Sequence, residues 1–383
     1  MMRNVKLKKF LVNNIFPVFS LINRILPKDK RKILIYCAND ELIDNSEAVY
    51  DYLVENGYYK KYKILCSVKN PDKYTSPHPE SIMFISKIGG IVQYMFSGYM
   101  FYSMGKIPIK PTKKQMVVNM SHGIPLKAIY KLSNLDNGEE FFFTYLCATS
   151  EFYRPIMAKA FGCPEENVCI CGEPKTDKLF MKKDQSSGEK MIVWAPTFRQ
   201  SAYLGYDDSS EADFLPFVKN SNWTELNDVL RSAGVKLVAK LHPLQDLNGF
   251  TEAVYSNLEI YSDKLFRQHG YDLYELLSRS DALLADYSSV YLEYLVLNRP
   301  IGFTLSDIDE YTNKRGFLFE NPLDYMPGKK IYSEKELYEF IEDIAGGVDE
   351  YEAEREKVND LANYYRDGRN CERVLKIAGI TMP

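Results

Sequence analysis

The chain has 383 residues, 45% hydrophobic and 26% charged, which suits two globular domains with cores of their own. Its net charge of -4 argues against nucleic acid as a partner. The seven cysteines are odd in number and most lie in or beside apolar runs, the usage of a reducing compartment; Cys169-Ile-Cys171 is too tight for a zinc knuckle and lacks a matching second pair, so no metal site is read. Residues 1–32 hold nine Lys or Arg against a single Asp. Lys6, Lys8 and Lys9 precede an apolar run over 10–26, and Lys28, Lys30, Arg31 and Lys32 follow it. The run has no small-residue cleavage site, which argues against a signal peptide. Asn13, Asn14, Pro17, Asn23 and Arg24 argue against a spanning helix. Buried Phe, Leu and Ile with flanking cations fit a segment lying on an anionic membrane surface; the alternative is a basic first helix packed on its own domain. A second apolar run, 88–105, divides at Gly98 into a helix and a strand and is read as core.

Short apolar strands then alternate with helical patterns. Strands are expected over 32–36, 62–66, 99–103, 115–119, 145–149 and 168–171, with helices near 47–55, 88–97 and 151–161. The second half continues with strands over 191–194, 235–239, 258–261, 282–285 and 301–304. Its helices are expected near 224–232, 272–278, 290–297 and 334–344, the last opened by a Ser333/Glu336 capping box. Such alternation predicts an α/β fold with two Rossmann-like, doubly wound domains facing a central cleft. The expected divisions are a basic amphipathic segment over 1–30, domains over 31–181 and 190–347, and a helical segment over 348–383. The polar stretch 182–190 reads as the linker.

Four turns put anion-binding or reactive side chains just past a strand: Ser121-His122-Gly123 with Lys127, Ala195-Pro-Thr-Phe-Arg199, Lys240-Leu-His242-Pro243, and Asp286-Tyr-Ser288-Ser289. The last follows an apolar strand and opens a helix, where Ser288 and Ser289 would cap while the first N–H groups and the helix dipole attract phosphate. An ordinary capped helix is the alternative. Two of only four histidines, His122 and His242, sit in such turns. With Lys127, Arg199, Lys240 and two serines they suit a polyphosphate and a proton acceptor of near-neutral pKa. Asp286 reads as fixing its own turn, or as orienting His242 or a ribose; Glu293 as a ribose or cytidine ligand, or as part of a solvated helix face. No Gly-x-Gly-x-x-Gly follows the first strand and no Walker A sequence occurs, which argues against a nicotinamide dehydrogenase or P-loop ATPase.

These motifs, in this order, resemble the CDP-glycerol glycerophosphotransferase family of teichoic acid and capsule biosynthesis. Ser121-His-Gly-Ile-Pro-Leu-Lys127 is similar to the family's Trp-His-Gly-Thr-Pro-Leu-Lys. Gly172-Glu-Pro-Lys175-Thr-Asp177 resembles Gly-x-Pro-Arg-x-Asp, and Ala195-Pro-Thr-Phe-Arg199 resembles Ala-Pro-Thr-Trp-Arg. Lys240-Leu-His-Pro243 and the intact Asp286-Tyr-Ser-Ser289 follow, with Glu293 as the acidic residue beyond. Arg315-Gly-Phe-Leu-Phe-Glu320 and Tyr365-Arg-Asp-Gly368 are similar to later motifs. Ser121 and Ile124 depart from the family's Trp and Thr beside His122.

The resemblance implies a glycosyltransferase B-type fold and a transferase; with cations and a helix end at hand, no cofactor is expected. It would move a polyol phosphate from CDP-glycerol or CDP-ribitol to a lipid-linked saccharide or cell-surface polymer and release CMP. It also implies peripheral attachment to the inner face of the bacterial membrane. His122 would accept the acceptor's hydroxyl proton and face the donor across the cleft. His242, Lys240, Arg199, Lys127, Ser288, Ser289 and the helix end would hold the diphosphate. A nucleotide-sugar transferase or epimerase, or a non-catalytic membrane-peripheral assembly protein, is the alternative. The length favours a single addition over a long polymer.

Overall fold

A computed structural model describes residues 16–37, 41–133, 140–181, 188–198, 213–220, 222–314 and 316–382. Two units emerge from chain contacts: Met1–His122 with Asn137–Asp177 and Arg369–Pro383, and Gly123–Asp136 with Lys178–Gly368. The 348–383 segment is therefore shared, because its last helix packs on the first unit.

In the first unit α1 (Phe16–Ile25) leads into β1 (Asp29–Tyr36), α2 (Asp44–Glu55), β2 (Lys63–Val68), β3 (Ile82–Ser86), α3 (Lys87–Tyr94) and β4 (Ser97–Tyr102). β5 (Met116–Asn119), β6 (Tyr145–Ala148), α4 (Tyr153–Phe161) and β7 (Val168–Ile170) complete its sheet. The strand order is β3-β2-β1-β4-β5-β6-β7, parallel throughout. Strand periodicity explains the two layers. Ile33 and Ile35 of β1 join Val49 and Leu53 of α2 in one core, while Leu34 and Tyr36 join Tyr94 of α3 in the other, against which Phe16 and Phe19 of α1 pack. Ile33, Leu34, Ile35, Val49 and Leu53, which are fully buried, contribute about 1.5–3 kcal/mol each. In the 88–105 run, Gly98 sits inside β4, where a Cβ would lie 2.7 Å from the Asp29 carbonyl oxygen.

The second unit holds β8 (Lys190–Trp194), α5 (Trp223–Ala233), β9 (Val235–Lys240), β10 (Ala253–Val254), β11 (Leu258–Tyr261), α6 (Asp263–Gln268), α7 (Leu273–Arg279) and β12 (Ala282–Ala285). It continues through α8 (Val290–Tyr294), β13 (Ile301–Thr304), α9 (Ile308–Lys314), β14 (Lys329–Ile331), α10 (Glu334–Gly346) and α11 (Glu352–Ala362); α12 (Asn370–Ile377) returns to the first unit. Its sheet runs β10-β11-β9-β8-β12-β13-β14, parallel except for the β10–β11 pair. Ile192 and Trp194 of β8 pack with Leu226 and Leu230 of α5 and Leu337 and Ile341 of α10. Asn298 in a left-handed conformation (φ 45°) stops the short turn after α8. The Ser333 hydroxyl caps α10 by accepting from Glu336 N, but the Glu336 carboxylate accepts from Tyr332 N, one residue before the cap.

Each unit is thus an α/β layer structure whose strand order reverses once, between β1 and β4 in the first and between β8 and β12 in the second. Ligands of such sheets bind beyond the carboxyl ends of the strands at that reversal.

Candidate active site

In the first unit the loops after β1, β5 and β7 meet at the carboxyl edge of the sheet. The Asp44 carboxylate takes His122 Nδ1 on one oxygen at 2.9 Å and the Lys175 ammonium on the other at 2.9 Å. Lys175 is buried and the Asp44 side chain is 9% exposed, while the His122 side chain remains 54% exposed. Asn45 supports the arrangement from below: its Oδ1 accepts from Lys175 N at 3.0 Å, and its Nδ2 donates to Glu173 Oε2 and to the Ser121 carbonyl. Asp44 and Ser121 both lie in the left-handed region, at φ 62° and 65°, a strained conformation for residues with a Cβ.

Burial alone would raise the Asp44 pKa, but the Lys175 and His122 charges outweigh it and hold the carboxyl well below its ordinary range. For His122, burial works against the cation, yet the Asp44 carboxylate beside Nδ1 lifts its pKa above the ordinary value; Lys175 opposes that lift and Glu173 adds to it. An ionised Asp44 accepts the Nδ1 proton, so neutral His122 keeps its lone pair on Nε2.

Asp44 and Lys175 escaped the sequence reading. Asp44 lies 78 residues from His122 in a run that reads as an ordinary helix start, and Lys175 appeared only inside a motif. A carboxylate just beyond the first strand of a doubly wound sheet was the available signal.

In the second unit the turns after β8, β9 and β12 meet. Asp286, fully buried, accepts from Thr197 N at 2.8 Å and Thr197 Oγ1 at 3.0 Å on one oxygen, and from Ser288 N at 3.2 Å on the other. Asp286 therefore joins two turns at the strand reversal. The His242 ring lies 5.2 Å from that of Phe198, and its Nδ1 accepts from Leu244 N at 3.1 Å. The acceptor role at Nδ1 puts the proton of neutral His242 on Nε2, the opposite tautomer to His122. His242 thus presents a donor where His122 presents a base.

The expected serine caps do not form. Ser289 is the N-cap of α8, but its backbone is helical (φ −59°, ψ −19°) and its hydroxyl makes no capping bond. Entry to the helix is set instead by the Asp286 carboxylate holding Ser288 N. Nor is Glu293 on a solvated face: it is buried and accepts a hydrogen bond from the Tyr274 hydroxyl. The Lys240 ammonium lies 2.7 Å from Asp263 at the start of α6, and burial lowers its pKa against the pull of that carboxylate. Arg199 and Arg315 lie outside the described residues, as do residues 1–15 of the basic segment and 182–187 of the linker.

Lys127 belongs to the stretch Gly123–Asp136, which packs with the second unit. There Lys127 pairs with Phe317 in an isolated antiparallel bridge, with its ammonium 5.1 Å from the Tyr311 ring centre. At Gly123 (φ +104°) a Cβ would stand 2.6 Å from Ser289 Oγ and 2.7 Å from Glu293 Oε1. Only glycine fits so close to the start of α8.

The chain resembles several characterised proteins. It is 30% identical to the teichoic acid glycerol-phosphate primase of Bacillus subtilis over 61% of this chain and 56% of that one. It is 26% identical to the teichoic acid ribitol-phosphate primase of Bacillus spizizenii, over 61% and 58% of the two chains. The chain thus spans a little over half the length of these two relatives. The teichoic acid glycerol-phosphate transferase of Staphylococcus aureus is 23% identical over 97% of this chain and 99% of that one. The wall teichoic acid polymerase TagF shares the fold, with a TM-score of 0.74 and 20% identity over 98% of this chain and 96% of that chain. A sequence model spanning residues 18–378 matches nearly the whole length, and the chain belongs to the CDP-glycerol:poly(glycerophosphate) glycerophosphotransferase family.

Proposed function

We propose that this protein transfers a polyol phosphate, glycerol phosphate first among the choices, from a CDP-linked donor to a hydroxyl of a lipid-linked saccharide or cell-surface polymer. Family membership over residues 18–378 carries the reading. The acceptor oxygen attacks the polyol-bearing phosphorus, the bond to the bridging oxygen breaks, and CMP leaves with that oxygen. The hydroxyl proton passes to His122 Nε2. In the second unit, His242 Nε2–H, Ser288, Ser289, Lys127 and Arg199 bind the diphosphate, the positioning and charge neutralisation that phosphoryl transfer requires. Lys240 reaches phosphate only by exchanging Asp263 for it. Asp286 keeps the Thr197 and Ser288 turns together rather than touching substrate.

The test is CMP release from CDP-glycerol and from CDP-ribitol with a synthetic lipid-linked disaccharide, with the product weighed by mass spectrometry. Turnover confined to UDP-sugars would refute the proposal. The His122→Ala variant should lose activity by about 10²-fold or more.

The same reading puts the protein on the inner, anionic face of the membrane. Val18, Leu21, Ile22 and Ile25 are exposed at helical spacing on α1, and Arg24 lies in its last turn. Among the described residues no helix is long and apolar enough to cross a membrane. Leu21→Glu with Ile25→Glu should abolish cosedimentation with phosphatidylglycerol vesicles; unchanged binding would remove α1 from the contact.

A further inference from the structure

We infer that Asp44, braced by the buried Lys175, is the positioning residue that fixes the ring and tautomer of His122. The inference rests on the reading of His122 as the base. Three observations support it. The Asp44 carboxylate is shared between two partners at 2.9 Å each, so both its oxygens are committed and its direction is set. Lys175 is only 6% exposed at its side chain and is held by its own backbone bond to Asn45, so the brace itself cannot swing away. The backbone on both sides is held in left-handed conformations at Asp44 and Ser121, and the fold maintains both against their intrinsic cost. Strain concentrated on two residues that bracket one ion pair fits a geometry fixed for function.

The chemistry follows from those contacts. Asp44 accepts the Nδ1 proton, turns Nε2 toward the exposed side of the ring and stabilises the imidazolium that forms when a hydroxyl proton arrives. Lys175 keeps Asp44 ionised and limits how far the carboxylate lifts the His122 pKa. Without Lys175 the imidazole would stay protonated to higher pH and be a poorer base near neutrality. The charged groups facing His122 are Asp44 from the start of α2 and Lys175 and Glu173 from the turn after β7.

The two partners therefore push His122 in opposite directions, and this separates positioning from mere folding. With only four histidines in the chain, the His122 ring resonances of the full-length protein can be assigned by their absence in His122→Ala. Asp44→Asn should lower the His122 titration midpoint and move the acid limb of kcat/KM to lower pH, with kcat reduced about 10²-fold or more. Lys175→Met should move both midpoint and acid limb upward. Lys175→Arg, which keeps the charge, should leave both near wild type and restore activity if Met disturbs the fold. His242 should titrate unchanged in all of them. A His122 midpoint that stays put in Asp44→Asn, or moves the same way in both variants, overturns the inference. Full activity of His122→Ala would instead overturn the base assignment, while the opposed titration shifts would still show that Asp44 and Lys175 set the ring.

Discussion

Gly123→Ala puts the structure under a sharp test. The new methyl meets Ser289 Oγ at 2.6 Å, Glu293 Oε1 at 2.7 Å and Ser289 Cβ at 3.2 Å, on a backbone at φ +104°. Glu293 has little room to yield, because it is buried and held by the Tyr274 hydroxyl. The positive φ costs about 1–2 kcal/mol and the overpacking about 1–3 kcal/mol, so the variant should lose about 2–5 kcal/mol. Against this stand the contacts that keep the segment down. Ala128 N donates to the Gly316 carbonyl at 3.3 Å and Leu318 N to the Leu126 carbonyl at 2.9 Å. Ile124 and Leu126 are buried, at about 1.5–3 kcal/mol each. The two sums are comparable, so the segment should loosen rather than leave. Hydrogen exchange at Leu318 and Ala128 should accelerate, and the urea midpoint should fall. Adding Ser289→Gly removes Oγ and Cβ and should recover part of the overpacking share, leaving the Glu293 contact and the cost of the positive φ. A Gly123→Ala protein within about 0.5 kcal/mol of wild type, with unchanged exchange at those amides, would show that the close approach to α8 is not there.

Asp286→Ala should destabilise the second unit by about 2–4 kcal/mol, because it leaves a buried Thr197 N–H without its acceptor and frees the Ser288 turn; urea unfolding checks it. Arg355 is fully buried between Asp349, which it meets at 2.8 Å, and Asn298. Asp349→Ala strands that cation and should cost about 3–5 kcal/mol, whereas Arg355→Met should cost clearly less, an order that thermal unfolding of the pair would reverse if the bridge were superficial. Acid stability should depend on Asp44. Its folded pKa lies below the unfolded value because Lys175 and His122 outweigh burial, so its contribution is present above the unfolded pKa of about 4 and disappears as pH falls toward the folded one. Asp44→Asn should flatten the fall in urea midpoint below about pH 5, and an identical acid profile in both proteins would count against the buried ion pair.

How much of this was legible in the sequence depended on whether the deciding contact was local. The central strands were, because β1, β9 and β12 are buried on both faces and their apolar runs stand out against polar ends. The edges were not. β14 reads Lys-Lys-Ile and β10 is two residues long, the short or charged strands that sheets use at their borders, where little apolar pattern is needed. The same division runs through the site. Asp286 fixes its own turn through Ser288, two residues on, and the sequence suggested as much; its bond to Thr197 spans 89 residues and was invisible. Lys240 read as a free cation for phosphate because Asp263, 23 positions away, is brought to it only by the β9–β11 pairing. His122 could be singled out from its turn, but its tautomer could not, since Asp44 and Lys175 arrive from the ends of two other strands. Motifs therefore locate the candidate groups of this fold, whereas the tautomer of His122 is set by partners that only the parallel sheet assembles.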